Sequence, residues 1–178
     1  MSPPLALVRI HPRPGCRMRG VLQAEALSLP CTLGRAGISR RKREGDGTTP
    51  VGSFQMRELY FRADRVPRPV TGLPARPIDP HLGWSDDPAD PLYNRAVRLP
   101  RHFAHERLWR DDHLYDYLVV LGYNDHPTLR PLGSAIFLHL VREDYAPTEG
   151  CVAIGRGAMR RLLPRLGPAT RLIVRSPN

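Results

Sequence analysis

Two residues stand out by type and spacing: His139, inside an apolar run from Ala135 to Val141, and Cys151, which directly follows Gly150. An imidazole within an apolar strand is costly unless its polar atoms find partners, so it needs a reason to be there. Thiolate is the reactive form of cysteine, and a nearby histidine that takes the thiol proton yields a competent nucleophile at neutral pH. That is the role the pattern suggests for His139. Gly150 permits a sharp turn and close approach to a ligand, with neighbouring N–H groups facing an oxyanion. Two other readings stay open on these residues alone. One is a core histidine beside an unrelated buried thiol. The other is a metal site made of Cys151, His139 and a carboxylate, although no close C-x-x-C or H-x-x-x-H spacing supports it. No metal and no cofactor is expected.

The elements that must position this pair read as short strands. Segments Leu5–Ile10, Val21–Leu29, a piece near Ile38, Ser53–Phe61, Tyr117–Tyr123, Ala135–Val141 and Thr170–Val174 are apolar or alternating and bounded by glycine or proline. The basic run at Arg40–Arg43 and the glycines up to Gly52 predict a loop. From Asp64 to Pro91 the chain is proline-rich without helical period, which predicts a long irregular excursion. Glu106–Asp112 reads as a short helix or turn. Gly157–Leu166 has helical spacing, with Met159, Leu162, Leu163 and Leu166 on one face and Arg160, Arg161 and Arg165 on the other. A helix then precedes the last strand, and Cys151 is expected to lead into it. The sum is one α+β, mainly β domain over residues 1–178 with one clear helix. With 20 prolines and 15 glycines in 178 residues, a long helical bundle is excluded.

The formal net charge is +10, and every cation except Lys42 is arginine, which points to an anionic partner. Nucleic acid is not expected, because no aromatic-interleaved basic strand or known binding motif is present. No apolar run is long enough for an integral membrane segment. The cysteines Cys16, Cys31 and Cys151 are too few for a disulfide scaffold. Cys16 and Cys31 read as buried thiols, with pairing as the alternative in an oxidising compartment. The N-terminal stretch lacks the pattern of a secretory signal, which favours a cytoplasmic location on sequence alone.

In several separate segments the chain resembles the YkuD-type L,D-transpeptidase catalytic domain. That family's signature is a histidine, a spacer of about a dozen residues, then Ser/Thr-His-Gly-Cys, matched here by His139, Thr148, Gly150 and Cys151. The segments Lys42 to Gly52, Gly83 to Asp87 and Leu121 to Asp125 also resemble family loops, so that the likeness runs from about Cys31 to the C-terminus. The resemblance implies a β-sandwich-like fold with Cys151 as nucleophile, His139 as base and then acid, and the N–H groups of Gly150 and Cys151 as oxyanion donors. It implies peptidoglycan stem peptides as partners. Cys151 would form a thioester, and an amine of a second stem would take the acyl group, linking two diaminopimelates or L-alanine to diaminopimelate. A periplasmic location follows from that substrate.

Two departures from the motif matter. Glu149 stands where the family has histidine, and Ala153 where an arginine commonly lies. Arg142 and Arg156 are the candidate replacements for a carboxylate anchor, with Thr148, Glu149, His113 and Asn124 as further substrate-binding candidates. Lys42 and Glu44 read as loop framing; Trp84 reads as part of a lid or as a packed core residue. Two functions compete with transpeptidation: hydrolysis of stem peptides by an L,D-carboxypeptidase or amidase, and polyanion binding without catalysis. The oligomeric state is not legible.

Overall fold

The computed structural model describes residues 3–176; Met1 and Ser2, where the signal reading begins, and the last two residues of the 1–178 domain lie outside them. The strands are β1 Leu7–Arg13, β2 Cys16–Ala24, β3 Leu27–Thr32, β4 Ile38–Ser39, β5 Thr49–Pro50, β6 Gly52–Phe61 and β7 Ala75–Pro77. They continue with β8 Leu82–Ser85, β9 Ala96–Arg98, β10 His105–Arg107, β11 Tyr117–Leu121, β12 Phe137–Leu140, β13 Val152–Ile154 and β14 Arg171–Val174. Helix α1, Arg156–Leu162, and a 3-10 turn, Leu163–Arg165, precede β14. The fold is mainly β with this single short α-helix among the described residues.

The main sheet runs β11-β12-β13-β3-β2-β1-β14-β6-β7, and β11 also pairs with β6. That pairing, Tyr117 with Phe61 through Leu121 with Met56, closes the sheet on itself. The implied sandwich thus takes the form of a continuous ring of strands. Its interior holds Val8, Ile10, Leu22, Met56, Leu59, Val119, Leu138, Leu140, Val152, Ile154 and Leu172, with Met159 and Leu162 of α1 packed among them.

The proline-rich excursion is ordered, contrary to expectation. β8 pairs with β9 on one side and β10 on the other, so the segment expected to be irregular contributes to a second, three-stranded sheet. Glu106, expected in a helix or turn, lies in β10. This layer covers the outer face of the ring: Trp84, Leu108, Leu114 and Tyr115 pack on Tyr60, Leu118, Val120 and Phe137. β11 is therefore buried on both faces, which explains its unbroken apolar run.

Other boundaries shift for local reasons. The Val21–Leu29 run is split by a hairpin at Glu25, whose φ of 51° is left-handed, so β2 and β3 pair antiparallel from Ala24 and Leu27 outward. The expected helix ends earlier because Pro164 tightens the chain into the 3-10 turn. Cys151 leads into β13 and not directly into α1. Cys16 and Cys31 are free thiols, Cys31 buried and Cys16 half-buried.

Leu162 is fully buried where α1 meets the ring. Leu162→Ala is expected to cost about 2–5 kcal/mol of unfolding free energy, read as a lower urea midpoint with an unchanged slope.

Candidate active site

β12 and β13 lie side by side and parallel, with Leu138 opposite Val152, His139 opposite Ala153 and Leu140 opposite Ile154. Side chains alternate across a sheet, so Leu138, Leu140, Val152 and Ile154 enter the ring interior. The same alternation turns Phe137, His139, Cys151 and Ala153 outward. There His139, Cys151 and Ala153 line one cleft of about 580 Å3.

His139 is buried, and its Nδ1–H donates to the carbonyl of Leu140 at 2.8 Å. The carbonyl can only accept, so in the neutral ring the lone pair sits on Nε2, the nitrogen a base needs. The edge of Tyr115 packs on the imidazole, with centroids 5.2 Å apart. Tyr115 in turn donates its hydroxyl to Glu106 at 3.1 Å, and Arg110 donates to the same carboxylate oxygen at 3.0 Å. A chain of held groups thus backs the ring.

Cys151 is also buried, and its Sγ–H donates to the carbonyl of Ala135 at 3.2 Å while the N–H of Phe137 donates to the sulfur at 3.4 Å. The thiol proton rests on a backbone carbonyl, and among the described residues no hydrogen bond joins the sulfur to His139. Burial pushes the thiol up to about 12, opposed by the Phe137 N–H and the Lys42 charge and reinforced by Glu106 and Glu149. Burial lowers the imidazole to about 4, with the Leu140 carbonyl opposing and the Arg110 and Arg142 charges adding to the shift. At neutral pH the pair is therefore an uncharged thiol and an uncharged imidazole, not a preformed ion pair.

The turn that carries Cys151 is pinned from behind. Gly150 has φ +141°, and a Cβ there would lie 2.8 Å from the Thr48 carbonyl oxygen, so glycine is required. Thr148 serves as a brace: its hydroxyl donates to the Cys151 carbonyl at 2.7 Å and accepts from the Gly150 N–H at 3.2 Å. Its backbone joins the end of β3 through Leu33 and Arg35. The Gly150 N–H, expected at an oxyanion, is thus already engaged.

Of the other expected residues, Thr148, Glu149 and Arg142 line the cleft. Glu149 is ion-paired to Arg35 at 2.7 Å, and Arg142 forms no ion pair among the described residues. His113, Asn124 and Arg156 do not line it. The Nε2–H of His113 donates to the Val141 carbonyl at 3.1 Å, fixing the chain just beyond β12. Asn124, with φ 48°, staples its own loop through Leu129 and Gly133. Arg156 is committed to Asp116 at 2.5 Å. Trp84 is a packed residue, edge-on to Phe137 at 5.2 Å. Lys42 and Glu44, read from sequence as framing, line the cleft, as does Asp86 of the family-like segment Gly83 to Asp87, and Arg35 and Glu106 join them there without any sequence signal of their own.

The imidazole shift sets a stability signature. The folded value of about 4 lies below the ordinary 6.5, so as pH falls the unfolded chain takes up this proton first. The contribution is complete above pH 6.5 and is lost as pH drops toward 4, by about 3 kcal/mol. Urea titrations across that window are expected to give a flatter stability profile for His139→Gln than for the wild type.

Comparison with curated proteins and with solved structures found no match. The model of the YkuD family, described as the L,D-transpeptidase catalytic domain, matches residues 17–174 and so begins ahead of the motif segments that start near Cys31. A match that spans nearly the whole chain, and takes in both the strand of His139 and the turn of Cys151, makes this protein a member of the YkuD family of L,D-transpeptidase catalytic domains.

Proposed function

We propose that the chain, as one domain, is a cysteine acyltransferase that cross-links peptidoglycan stem peptides through a thioester on Cys151, with His139 as base and then acid. The observation that carries this reading is the projection of both side chains, from β12 and from the residue just ahead of its parallel neighbour β13, into one cleft, with the imidazole lone pair left on Nε2. Because both groups are neutral at rest, proton transfer to Nε2 accompanies attack of sulfur on the substrate carbonyl. The proton then passes to the departing amine as the thioester forms. An incoming amine reverses the order of these steps, losing its proton to His139 as the thiol is restored.

The charges of the cleft suit a stem peptide. Arg35, Arg110, Arg142 and Lys42 face Glu44, Asp86, Glu106 and Glu149 around the same opening, and diaminopimelate presents both carboxylates and an ammonium. Arg142, without an ion pair among the described residues, is the readiest carboxylate anchor in place of an arginine at position 153. The acceptor centre, diaminopimelate or L-alanine, sets which cross-link results. Work on mature peptidoglycan places the protein in the periplasm.

Incubation with a stem tetrapeptide is expected to give an acyl adduct on Cys151 by intact mass and dimeric muropeptides as product. Cys151→Ala is expected to lose both; dimers formed without the thiol would refute the assignment, and shortened monomers without dimers would identify a hydrolase. The kcat/KM profile is expected to fall on its acid side near pH 4, where His139 becomes protonated, and not near 6.5. Arg142→Ala is expected to raise KM for the tetrapeptide several-fold with little change in kcat, and an unchanged KM would remove Arg142 from the anchor role.

A further inference from the structure

We infer that Lys42, the sole lysine of the sequence, is part of the acyl-transfer machinery: its ammonium stabilises the negative charge that develops on the substrate oxygen and on Cys151. The inference deepens the acyltransferase reading and rests on it. Lys42 lies in the loop between β4 and β5, far from Cys151 in sequence, yet it lines the same cleft. Its side chain is only 5% exposed. Nζ donates to Asp46 Oδ1 at 2.6 Å and to the Arg43 carbonyl at 2.9 Å. An ammonium has three N–H donors, so one is left over after these two bonds.

The place of that ammonium is informative. A Cβ built on Gly150 would sit 3.6 Å from Nζ, so the charge lies against the turn that carries the nucleophile. The backbone of Gly133 closes on the aliphatic stem, where a Cβ would be 3.1 Å from Cγ and Cε, and leaves the chain little room to move. Asp46 is fixed as well, accepting from the N–H groups of Arg43 and Thr48 and from the Thr48 hydroxyl. The cation is therefore preorganised, which is the condition for stabilising charge without reorganisation at the moment of reaction. Burying an ammonium is costly, and a loop brace alone does not require a charge facing a cleft.

The need is also specific. The Gly150 N–H is already bonded to Thr148, so the oxyanion lacks one of the donors expected for it. When sulfur attacks, the S–C bond forms and the carbonyl π pair moves to oxygen while the thiol proton moves to His139 Nε2. When the intermediate collapses, the C–N bond breaks and His139 returns that proton to the leaving amine. Lys42 exchanges no proton in either step and remains an ammonium throughout.

Two readouts on the purified full chain separate electrostatic support from loop framing: acylation of Cys151 by a carbapenem, followed by intact mass, and the pH profile of alkylation by iodoacetamide. Lys42→Met removes the charge and is expected to slow acylation about 100-fold, with the alkylation midpoint moving to higher pH. Lys42→Arg keeps the charge and is expected to retain most of the rate. Asp46→Asn breaks the same ion pair but leaves the ammonium uncompensated, so acylation is expected to quicken and the alkylation midpoint to fall. Framing alone predicts that Lys42→Met and Asp46→Asn act in the same direction, and that result would overturn the inference. If Lys42→Met fails to fold, Lys42→Arg and Asp46→Asn still decide: a rate largely kept in the first and raised in the second supports the inference, and a marked fall in both overturns it. Absence of any acyl adduct in the wild type would instead count against the acyltransferase reading, and the alkylation profiles would still test Lys42.

Discussion

The parallel pairing of β12 with β13 is the constraint on which the site depends. Its register sets His139 opposite Ala153 and brings Cys151, one residue before β13, beside the backbone of Phe137. A slip of one residue would turn His139 into the ring interior and Leu138 into the cleft. Parallel neighbours need a crossover between them, and here it is the irregular segment 141–151, without a helix. What holds this crossover is the end of β3, where Thr148 bonds Leu33 and Arg35, while the Thr148 side chain closes the turn onto Cys151. Register and turn are thus fixed together, from opposite ends of one loop.

Desolvation is the second consequence of that placement. The outer layer that orders Trp84, Leu114 and Tyr115 over the ring also buries the imidazole and the thiol. Both then favour their neutral forms. A buried thiolate–imidazolium pair would exist only if its mutual attraction outweighed the loss of water around two ions, and the thiol is bonded to Ala135 instead. The protein therefore avoids a standing pair of charges, and in the proposed reaction charge would arise only during attack, among fixed dipoles and cations.

The local part of this architecture was legible. Alternating apolar runs gave most of the strands of the ring, and helical spacing gave α1 because Met159 and Leu162 face a core. Cys151 and His139 could be singled out because a polar ring in an apolar strand needs a purpose, and the fold sets both on one cleft. Long-range pairing left no comparable trace. The closing contact of β6 with β11 joins segments whose only shared property is apolarity, and the order in the excursion comes from packing on Phe137 and Leu118, not from its own propensity. Thr148 was singled out by its residue type and does line the cleft, but its bonds to Gly150 and Cys151 depend on backbone geometry that a motif does not record. Arg156 and Arg142 look alike in sequence. The fold tells them apart: Arg156 is held by the buried Asp116 away from the cleft, and Arg142 lines it.

The alanine at position 153 has a physical logic of its own. It faces His139 across the strand pair and lines the cleft with it. An arginine there would fill space beside the imidazole and add a cation to Arg110 and Arg142, whose charges already disfavour its protonation. A base that must accept a proton during attack is weakened by each such charge. Alanine leaves the ring accessible and moves the cations outward, to Arg142 beyond the end of β12 and to Arg35 beside Glu149. Glu149 adds to this arrangement, since it restrains Arg35 at the opening with an exposed, readily exchanged ion pair. Positive charge for binding is kept at the rim, and the space next to the imidazole is kept small and neutral.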